Sequence, residues 1–200
     1  MPQTAAAPHG QTPAVNEVRD RILNTASALF YRLGVRAVGV DMVVAEASVA
    51  KTSLYRYFRT KDDLIAAFLQ REDLEFWRVW DEVARQHAAD AAAELDAHMQ
   101  WIGERVGRPK YRGCPQINVA AEFPDADHPA RTVARTHKAE LKRRLQAIAE
   151  RLGAEHPDQL GLQLAVVVNG AFVSTSLFTP ENATPTLQAL SRALVAAARA

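Results

Sequence analysis

The sequence predicts an all-α protein of about nine helices, and two observations support this prediction. Alanine, the residue with the highest helix propensity, occurs 37 times among the 200 residues, and no proline interrupts the chain between Pro13 and Pro109. Runs in which Val, Ile and Thr alternate with polar residues, the pattern of a half-buried strand, are missing from the sequence. The helices are therefore placed in order from their apolar spacing and their end signals.

Three helices are predicted before residue 60. Residues 1–14 contain three prolines and mostly small or polar side chains, so they are predicted to form a disordered tail. Helix 1 begins near Asn16 and ends at Gly34, because glycine commonly terminates a helix. Helix 2 covers about 40–47 and helix 3 about 50–58. The predicted buried stripe of helix 1 consists of Val18, Ile22, Ala26, Leu29, Phe30 and Leu33.

Six further helices follow. Thr60 is predicted to cap helix 4, whose first turn carries Asp62 and Asp63, two acids that complement the helix dipole. The other bounds are Ala88 to Val106 for helix 5, Pro115 as the start of helix 6, Pro129 to Gly153 for helix 7, Pro157 to Phe178 for helix 8, and Pro185, capped by Thr184, to the last residue for helix 9.

The overall composition excludes several classes of protein. A hydrophobic fraction of 48% with 24 basic and 23 acidic residues is too apolar and too balanced for a disordered chain. One cysteine, Cys114, cannot form an internal disulfide, which fits a reducing cytosol. No apolar run of membrane-spanning length and no secretory signal occurs, so a cytoplasmic protein without a membrane partner is expected. No Ser/His/Asp set, HExxH motif or glycine-rich phosphate loop occurs, so neither an enzyme nor a cofactor is expected.

The segment from helix 1 to the start of helix 4 carries the functional signal. Residues 15–61 have a net charge of +4 and the rest of the chain −3, a difference that fits a polyanion partner or ordinary surface variation. Two short helices meet at Ser48-Val49, as in a helix-turn-helix. Leu54 and Phe58 can anchor helix 3 inward while other side chains point outward. Those outward residues are Lys51, Thr52, Tyr55 and Arg56, which either reach DNA base edges or form a solvated helix face.

The stretch from Ala26 to Leu69 resembles the DNA-binding domain of the tetracycline-repressor (TetR) family. The resemblance rests on Phe30, Gly34, a short apolar helix, Val49, Lys51, the run Leu54-Tyr55-x-Tyr57-Phe58-x-x-Lys61, and Leu64. It implies a helix-turn-helix DNA-binding domain at 15–61, followed by a ligand-sensing and dimerisation domain at 62–200. It also implies a double-stranded DNA operator as partner.

The resemblance also implies roles for individual residues. Lys51, Thr52 and Tyr55 match positions that face bases or the groove floor, and Arg56 could contact either bases or phosphates. Four further positions match phosphate contacts or the phosphate-facing start of helix 2: Ser53, Tyr57, Lys61 and the backbone at Gly39-Val40. Three features depart from the family pattern. Gly39 offers no hydroxyl, Ser48 replaces the usual glycine of the turn, and Asp41 would repel phosphate unless it pairs with an arginine or accepts a cytosine amino group.

The function that the resemblance implies is a ligand-responsive regulator, a homodimeric repressor released from a pseudo-palindromic operator by a small molecule. A transcriptional activator or an architectural DNA-binding protein without an inducer remains the alternative. The homodimer is predicted to form through helices 8 and 9, although the same residues could pack within one chain. The residues concerned are Leu160, Leu164, Val168, Ala171 and Phe172 in helix 8, and Leu187, Leu190 and Leu194 in helix 9.

The candidate effector pocket is assembled from helices 4 to 8. An aromatic-walled cavity and ordinary core packing both explain three tryptophans within 25 residues, and Asn118 and Glu122 face either the pocket or solvent. The candidate ligand-binding residues are Trp77, Trp80, His98, Trp101, Cys114, Ile117, Asn118, Glu122, Asn169 and Phe172. Cys114 precedes a helix and is interpreted as a redox or electrophile sensor or as a small structural residue. The group Asp125, Asp127 and His128 suggests metal ligands, but helix capping explains it more simply, and no metal is expected.

Overall fold

The computed structural model describes residues 13–199, with side chains from residue 17 onward. Within this range the regular structure is helical, without strands, so the all-α prediction is confirmed. The helices are α1 (Pro13–Leu33), α2 (Val40–Glu46), α3 (Lys51–Tyr57), α4 (Lys61–Gln86), α5 (Ala91–Val106), α6 (Pro115–Glu122), α7 (Pro129–Arg151), α8 (Pro157–Val173) and α9 (Ala183–Ala197). None of these helices is long and apolar enough to span a bilayer.

Several helix ends differ from the prediction. Residues 1–12 of the predicted tail (1–14) lie outside the described residues, and residues 13 and 14 belong to α1, which begins at Pro13. Asp90 accepts hydrogen bonds from the backbone N–H groups of Ala92 and Ala93, so it caps α5 later than predicted. Helix 7 starts at its proline as expected, with His128 as the capping residue.

The largest error concerns the end of helix 8. α8 stops at Val173 and is followed by a 3-10 turn at Thr175–Leu177, whereas one continuous helix was predicted. Asn182 precedes α9, and Thr184, the predicted cap, lies inside the helix, where its hydroxyl donates to the carbonyl of Gln100 at 3.5 Å. Residues 171–179 contain no proline or glycine, so the sequence gives no helix-stop signal just after Val173.

The chain divides into two compact units between Phe68 and Leu69, inside α4, whereas the sequence suggested a boundary after residue 61. In the first unit α1, α2 and α3 contact one another around a continuous apolar core. The rings of Phe30 and Phe68 meet at 5.8 Å between centroids. Leu33, the last residue of the predicted stripe, is 44% exposed and lies at the C-terminal end of α1.

In the second unit the most extensive helix contacts are those of α5 with α9 and of α7 with α8. Glycine permits both approaches. A Cβ at Gly103 of α5 would lie 2.6 Å from the Cα of Thr184, and one at Gly161 of α8 would lie 2.8 Å from the Cα of Gln146. The contact at Gly161 is with α7 of the same chain. The residues of helix 8 predicted to form one apolar side are all buried in this unit.

Candidate functional site

Helix α3 exposes polar side chains on its outer side and is anchored by buried apolar side chains on its inner side. Leu54 is fully buried and Phe58 is 3% exposed, so both anchors predicted from the sequence are confirmed. Between them Tyr55 is 43% exposed, a high value for so large a ring. Lys51, Thr52 and Arg56 are exposed as well, and Ser53 and Tyr57 are half-buried. The short helix therefore presents donors, hydroxyls and a flat ring from one rigid support.

Lys51 is engaged with α2 before any partner arrives. Its Nζ lies 2.7 Å from Oδ1 of Asp41, and both side chains are largely exposed. The hydrogen bond that Lys51 donates to the Asp41 carboxylate raises the pKa of Lys51 above its usual value, so the lysine stays charged. The sequence suggests an arginine as an ion-pair partner of Asp41. In the structure the partner is Lys51. Any anionic partner of this surface must compete with Asp41 for Lys51.

The turn between α2 and α3 has the conformation expected from the sequence. Ser48 adopts φ 52°, a left-handed value that glycine takes without a penalty and serine does not. At the other end of α2, Gly39 caps the helix in an extended conformation without a side-chain hydrogen bond. The first backbone N–H groups of α2, from Val40 onward, therefore have no side-chain acceptor from the cap.

A reciprocal cap fixes the start of α4 and hence the position of Lys61. The backbone N–H of Thr60 donates to Oδ2 of Asp63 at 2.9 Å, and the N–H of Asp63 donates to Oγ1 of Thr60 at 3.0 Å. The predicted capping role of Thr60 is confirmed. Lys61 is the first residue of α4 and is half-buried.

The predicted aromatic residues of the second unit form a packed cluster around Phe76. Its ring centroid lies 4.9 Å from those of Trp77 and Trp101 and 6.1 Å from that of Trp80. His98 is fully buried and stacks on Trp80 at 3.7 Å. Burial lowers the pKa of His98 to about 3, so its ring is neutral in the folded protein. These side chains occupy the space that an aromatic-walled cavity would leave open.

The remaining predicted ligand residues are spread over α6 and α8. Asn118 is exposed and its side chain donates to the carbonyl of Arg112 at 2.7 Å, while Ile117 and Glu122 are half-buried. Asn169 accepts from Nζ of Lys138, which also lies 3.9 Å from Sγ of Cys114. Burial lowers the pKa of Lys138.

The structure does contain a small cavity in this unit. Cys114 and Phe172, both predicted, line it together with Phe76 and Pro115. Its polar wall was not predicted and consists of Glu72, Arg105, Tyr111, Gln116 and His137. The cavity measures about 10 Å³, room for the centre of roughly one water molecule. It therefore fits a single polar group, with the aromatic cluster as its neighbour.

Two of the cavity's polar side chains are held by hydrogen bonds on their far sides. Nε2 of Gln116 donates to the carbonyl of Leu69 at 2.9 Å. Nδ1 of His137 lies 2.6 Å from Oδ1 of Asp73, which also accepts from Nε1 of Trp77 at 2.7 Å. Gln116 Oε1 and His137 Nε2 are buried and have no hydrogen-bond partner among the described residues.

Burial dominates the electrostatics of the cavity. It raises the pKa of Glu72, an effect that Arg105 and Arg71 partly offset. It also lowers the pKa of His137, although the hydrogen bond to Asp73 acts in the opposite direction. Both shifts favour uncharged side chains at the cavity wall.

One sequence signal could have located this wall. His137 stands in the buried register of helix 7, between Val133 and Leu141, where an apolar residue is expected. Glu72, Arg105 and Gln116 come from α4, α5 and α6, and Tyr111 from the segment before α6, so no spacing within one helix joins them. In contrast, the candidate metal group is accounted for by capping. His128 accepts from the N–H of Ala130 at 3.2 Å, and Asp125 accepts from that of Asp127 at 2.9 Å.

Known proteins resemble this chain in sequence and in structure. Residues 22–68 match the family model described as bacterial regulatory proteins, tetR family. The transcriptional regulator AcuR of Cereibacter sphaeroides is 31% identical over 154 residues, which are 72% of this chain and 69% of that protein.

Two solved structures show how far the likeness extends. SCO4454, a TetR-family transcriptional regulator from Streptomyces coelicolor, is 30% identical with a TM-score of 0.85, covering 92% of this chain and 97% of its own. The reduced form of E. coli NemR, at 22% identity, has a TM-score of 0.73 and covers 86% of this chain and 95% of its own, a similarity of fold.

Proposed function

The chain belongs to the TetR family of bacterial transcriptional regulators, and from this membership we propose that it is a homodimeric, ligand-responsive repressor. In this proposal two copies bind a pseudo-palindromic operator, and a small molecule bound in the second unit releases them. The observation that carries the proposal is the exposed polar side of α3 on its buried anchors Leu54 and Phe58.

The proposed contacts with DNA follow from exposure and chemistry. Lys51, Thr52 and Tyr55 read base edges in the major groove, where lysine reaches guanine acceptors and the threonine methyl or tyrosine ring meets a thymine methyl. Phosphates are held by Ser53, Tyr57, Lys61, the backbone at Gly39-Val40, and Arg56 where it does not reach a base.

An exposed apolar stripe on α8 supports the dimer. Leu162, Val166 and Val173 are spaced for one helix face and are 51%, 62% and 59% exposed, respectively, while Leu190 of α9 is 48% exposed. A second copy of the chain is the proposed occupant, since a two-fold operator needs two recognition helices about one DNA turn apart. On α8 this stripe takes the place of the predicted residues Leu160, Leu164, Val168, Ala171 and Phe172, which are buried within the chain. On α9 the predicted Leu190 is exposed, whereas the predicted Leu187 is buried.

The proposed induction mechanism uses α4, which carries residues of both units. A ligand at the cavity contacts Glu72 and Phe76 of α4 and so shifts or stiffens this helix, changing the distance between the two recognition helices. The ligand must bind the DNA-incompetent state more tightly, because equal affinity for both states shifts nothing.

Selection of binding sites from a random duplex pool with the purified protein tests the proposal. We expect enrichment of a pseudo-palindrome by the wild type, and loss of the enrichment in the double variant Lys51→Ala/Tyr55→Ala. The matched control is Asn118→Ala, which changes an exposed polar side chain of the second unit. No enrichment by the wild type at low salt, with or without cell extract, would refute the DNA-binding assignment.

The dimer has its own test. Val166→Glu places a charge on the α8 stripe and is expected to give a monomer in sedimentation analysis, with loss of operator binding. Leu74→Glu is the matched control, because Leu74 is a comparably exposed apolar residue on α4. A dimer that survives Val166→Glu and the further change Leu162→Glu would place the interface elsewhere.

Repression and activation are separated by a reporter placed behind the selected operator. Deletion of the gene should raise the reporter output if the protein represses, and lower it if the protein activates. Candidate effectors are then titrated against the operator complex. Tight effector binding with unchanged operator affinity would exclude induction.

A further inference from the structure

We propose that the cavity of the second unit recognises an uncharged hydrogen-bond donor, the hydroxyl or primary amide group of a small polar effector. This inference rests on the proposed ligand-responsive function and names the chemical class of the ligand. It follows from two buried acceptor atoms, the size of the cavity and the charges around it.

The first acceptor belongs to Gln116. Its side chain is 2% exposed, and its Nε2 donates to the carbonyl of Leu69, which only the NH₂ end of the amide can do. The hydrogen bond therefore fixes the orientation of the amide. Oε1, which lacks a partner among the described residues, is the atom left to accept a hydrogen bond at the cavity.

The second acceptor belongs to His137, which is 1% exposed. Nδ1 must carry the ring proton, because the Asp73 carboxylate 2.6 Å away can only accept. Burial lowers the pKa of His137 and keeps the ring neutral, so Nε2 has a lone pair and no hydrogen. Like the glutamine oxygen, this nitrogen lacks a partner among the described residues. A ligand that meets both atoms must donate.

The size of the cavity limits what can enter. Space of about 10 Å³ admits one group of the size of a water molecule, such as a hydroxyl or the NH₂ of a primary amide. The carbon skeleton of the ligand stays outside this space, and Phe76 and Phe172 border the donor group that enters. A buried acceptor without a partner is costly, and a donor group that enters removes this cost.

The surrounding charges argue against an ionic ligand. Arg105 lines the cavity and Lys138 lies 3.9 Å from the lining residue Cys114, so a cation would face two positive side chains. An anion would be attracted by the same two side chains, but it has no hydrogen to donate to Gln116 Oε1 and His137 Nε2, so both acceptors would stay unpaired. An uncharged donor avoids both conflicts.

Three probes with one carbon skeleton test the class: propionamide, propionate and propylammonium. Binding to the full chain without DNA is measured by saturation-transfer NMR and by tryptophan fluorescence, with Trp77 and Trp101 beside the lining residue Phe76 as reporters. We expect propionamide to bind roughly five-fold more tightly than either ion, the effect of about one net hydrogen bond. Tighter binding of an ion, or no binding of propionamide, would overturn the proposal.

A pair of variants ties the binding to His137. His137→Asn keeps a donor for Asp73 and removes Nε2, so propionamide affinity should fall roughly five-fold. His87→Asn is the matched control, the same change at a histidine that does not line the cavity, and should leave the affinity unchanged. Equal effects of the two changes would contradict the assignment. If His137→Asn does not fold, the relative affinities of the three probes for the wild type still decide whether the cavity prefers an uncharged donor.

The same measurements separate this inference from the proposed function. If propionamide binds as expected and no ligand of any class weakens the operator complex, the ligand class stands and the regulatory proposal fails. If only an ionic compound binds and releases the operator, regulation stands and the ligand class is wrong.

Discussion

The two units of the chain place their polar chemistry in opposite environments. In the described part of the first unit, Ser27 is the only buried polar residue, and its hydroxyl donates to the carbonyl of Leu23 at 2.7 Å. The second unit buries Glu94, His98, Gln116 and His137, three of which have unpartnered polar atoms. The first unit is thus an apolar support for an exposed surface, whereas the second keeps costly polar groups inside, where a ligand or a proton can change their energy.

The largest effect is expected where the exposed surface depends on its support. Leu54→Ala should lower the free energy of unfolding by about 2–5 kcal/mol, because it removes a fully buried side chain beneath α3. Urea denaturation measures the loss. Tyr55→Ala, one residue away and exposed, is the matched control and should leave stability within about 0.5 kcal/mol. Similar losses from both changes would contradict the division into anchors and surface.

A second experiment addresses the buried histidines. The pKa of His98 is about 3 in the folded protein and near 6.5 when unfolded, so the unfolded chain takes up the proton first. Its contribution to stability is present above pH 6.5 and is lost as the pH falls towards 3. The loss approaches about 1.4 kcal/mol per pH unit.

His98→Phe isolates this contribution, since it keeps an aromatic ring against Trp80 and cannot titrate. The free energy of unfolding of both proteins is measured by urea denaturation at several pH values between 7 and about 4.5. As the pH falls, the variant should become more stable relative to the wild type, by roughly 2 kcal/mol at the lowest pH. Parallel pH profiles for the two proteins would show that His98 is solvated or paired when folded.

The next effect concerns sequence reading by the surface. Tyr55→Ala should weaken binding to the selected operator by about 1–3 kcal/mol and relax the base preference, if the ring contacts a base edge. Fluorescence anisotropy on specific and random duplexes measures both quantities. Equal losses on the two duplexes would make Tyr55 a backbone contact.

The smallest effects are electrostatic. Lys61→Ala should weaken binding to all duplexes and reduce the slope of affinity against salt by about one unit, because one phosphate contact is lost. Asp41→Asn should strengthen binding modestly, since it releases Lys51 from its ion pair and removes a negative charge from the surface. A salt slope that does not change in Lys61→Ala would remove this residue from the set of phosphate contacts.

The division of α3 into buried anchors and an exposed side could be predicted because its parts are close in sequence. Residues 39–61 hold both the anchors and the exposed groups, and helical spacing alone assigns Leu54 inward and Tyr55 outward. The positive φ of Ser48 and the cap at Thr60 are equally local, because backbone geometry and side-chain-to-backbone hydrogen bonds join residues at most a few positions apart. Helix class, order and most helix ends follow from the same short-range rules.

Tertiary structure decided what the second unit does with its side chains. The tryptophans fill a cluster, the apolar side predicted for helix 8 turns inward, and Leu162 and Val166 are left on the outer face. The cavity draws Glu72, Arg105, Gln116 and His137 from four helices. Which faces of these helices meet depends on packing between residues distant in sequence, and helical periodicity specifies that a face is apolar without specifying its partner.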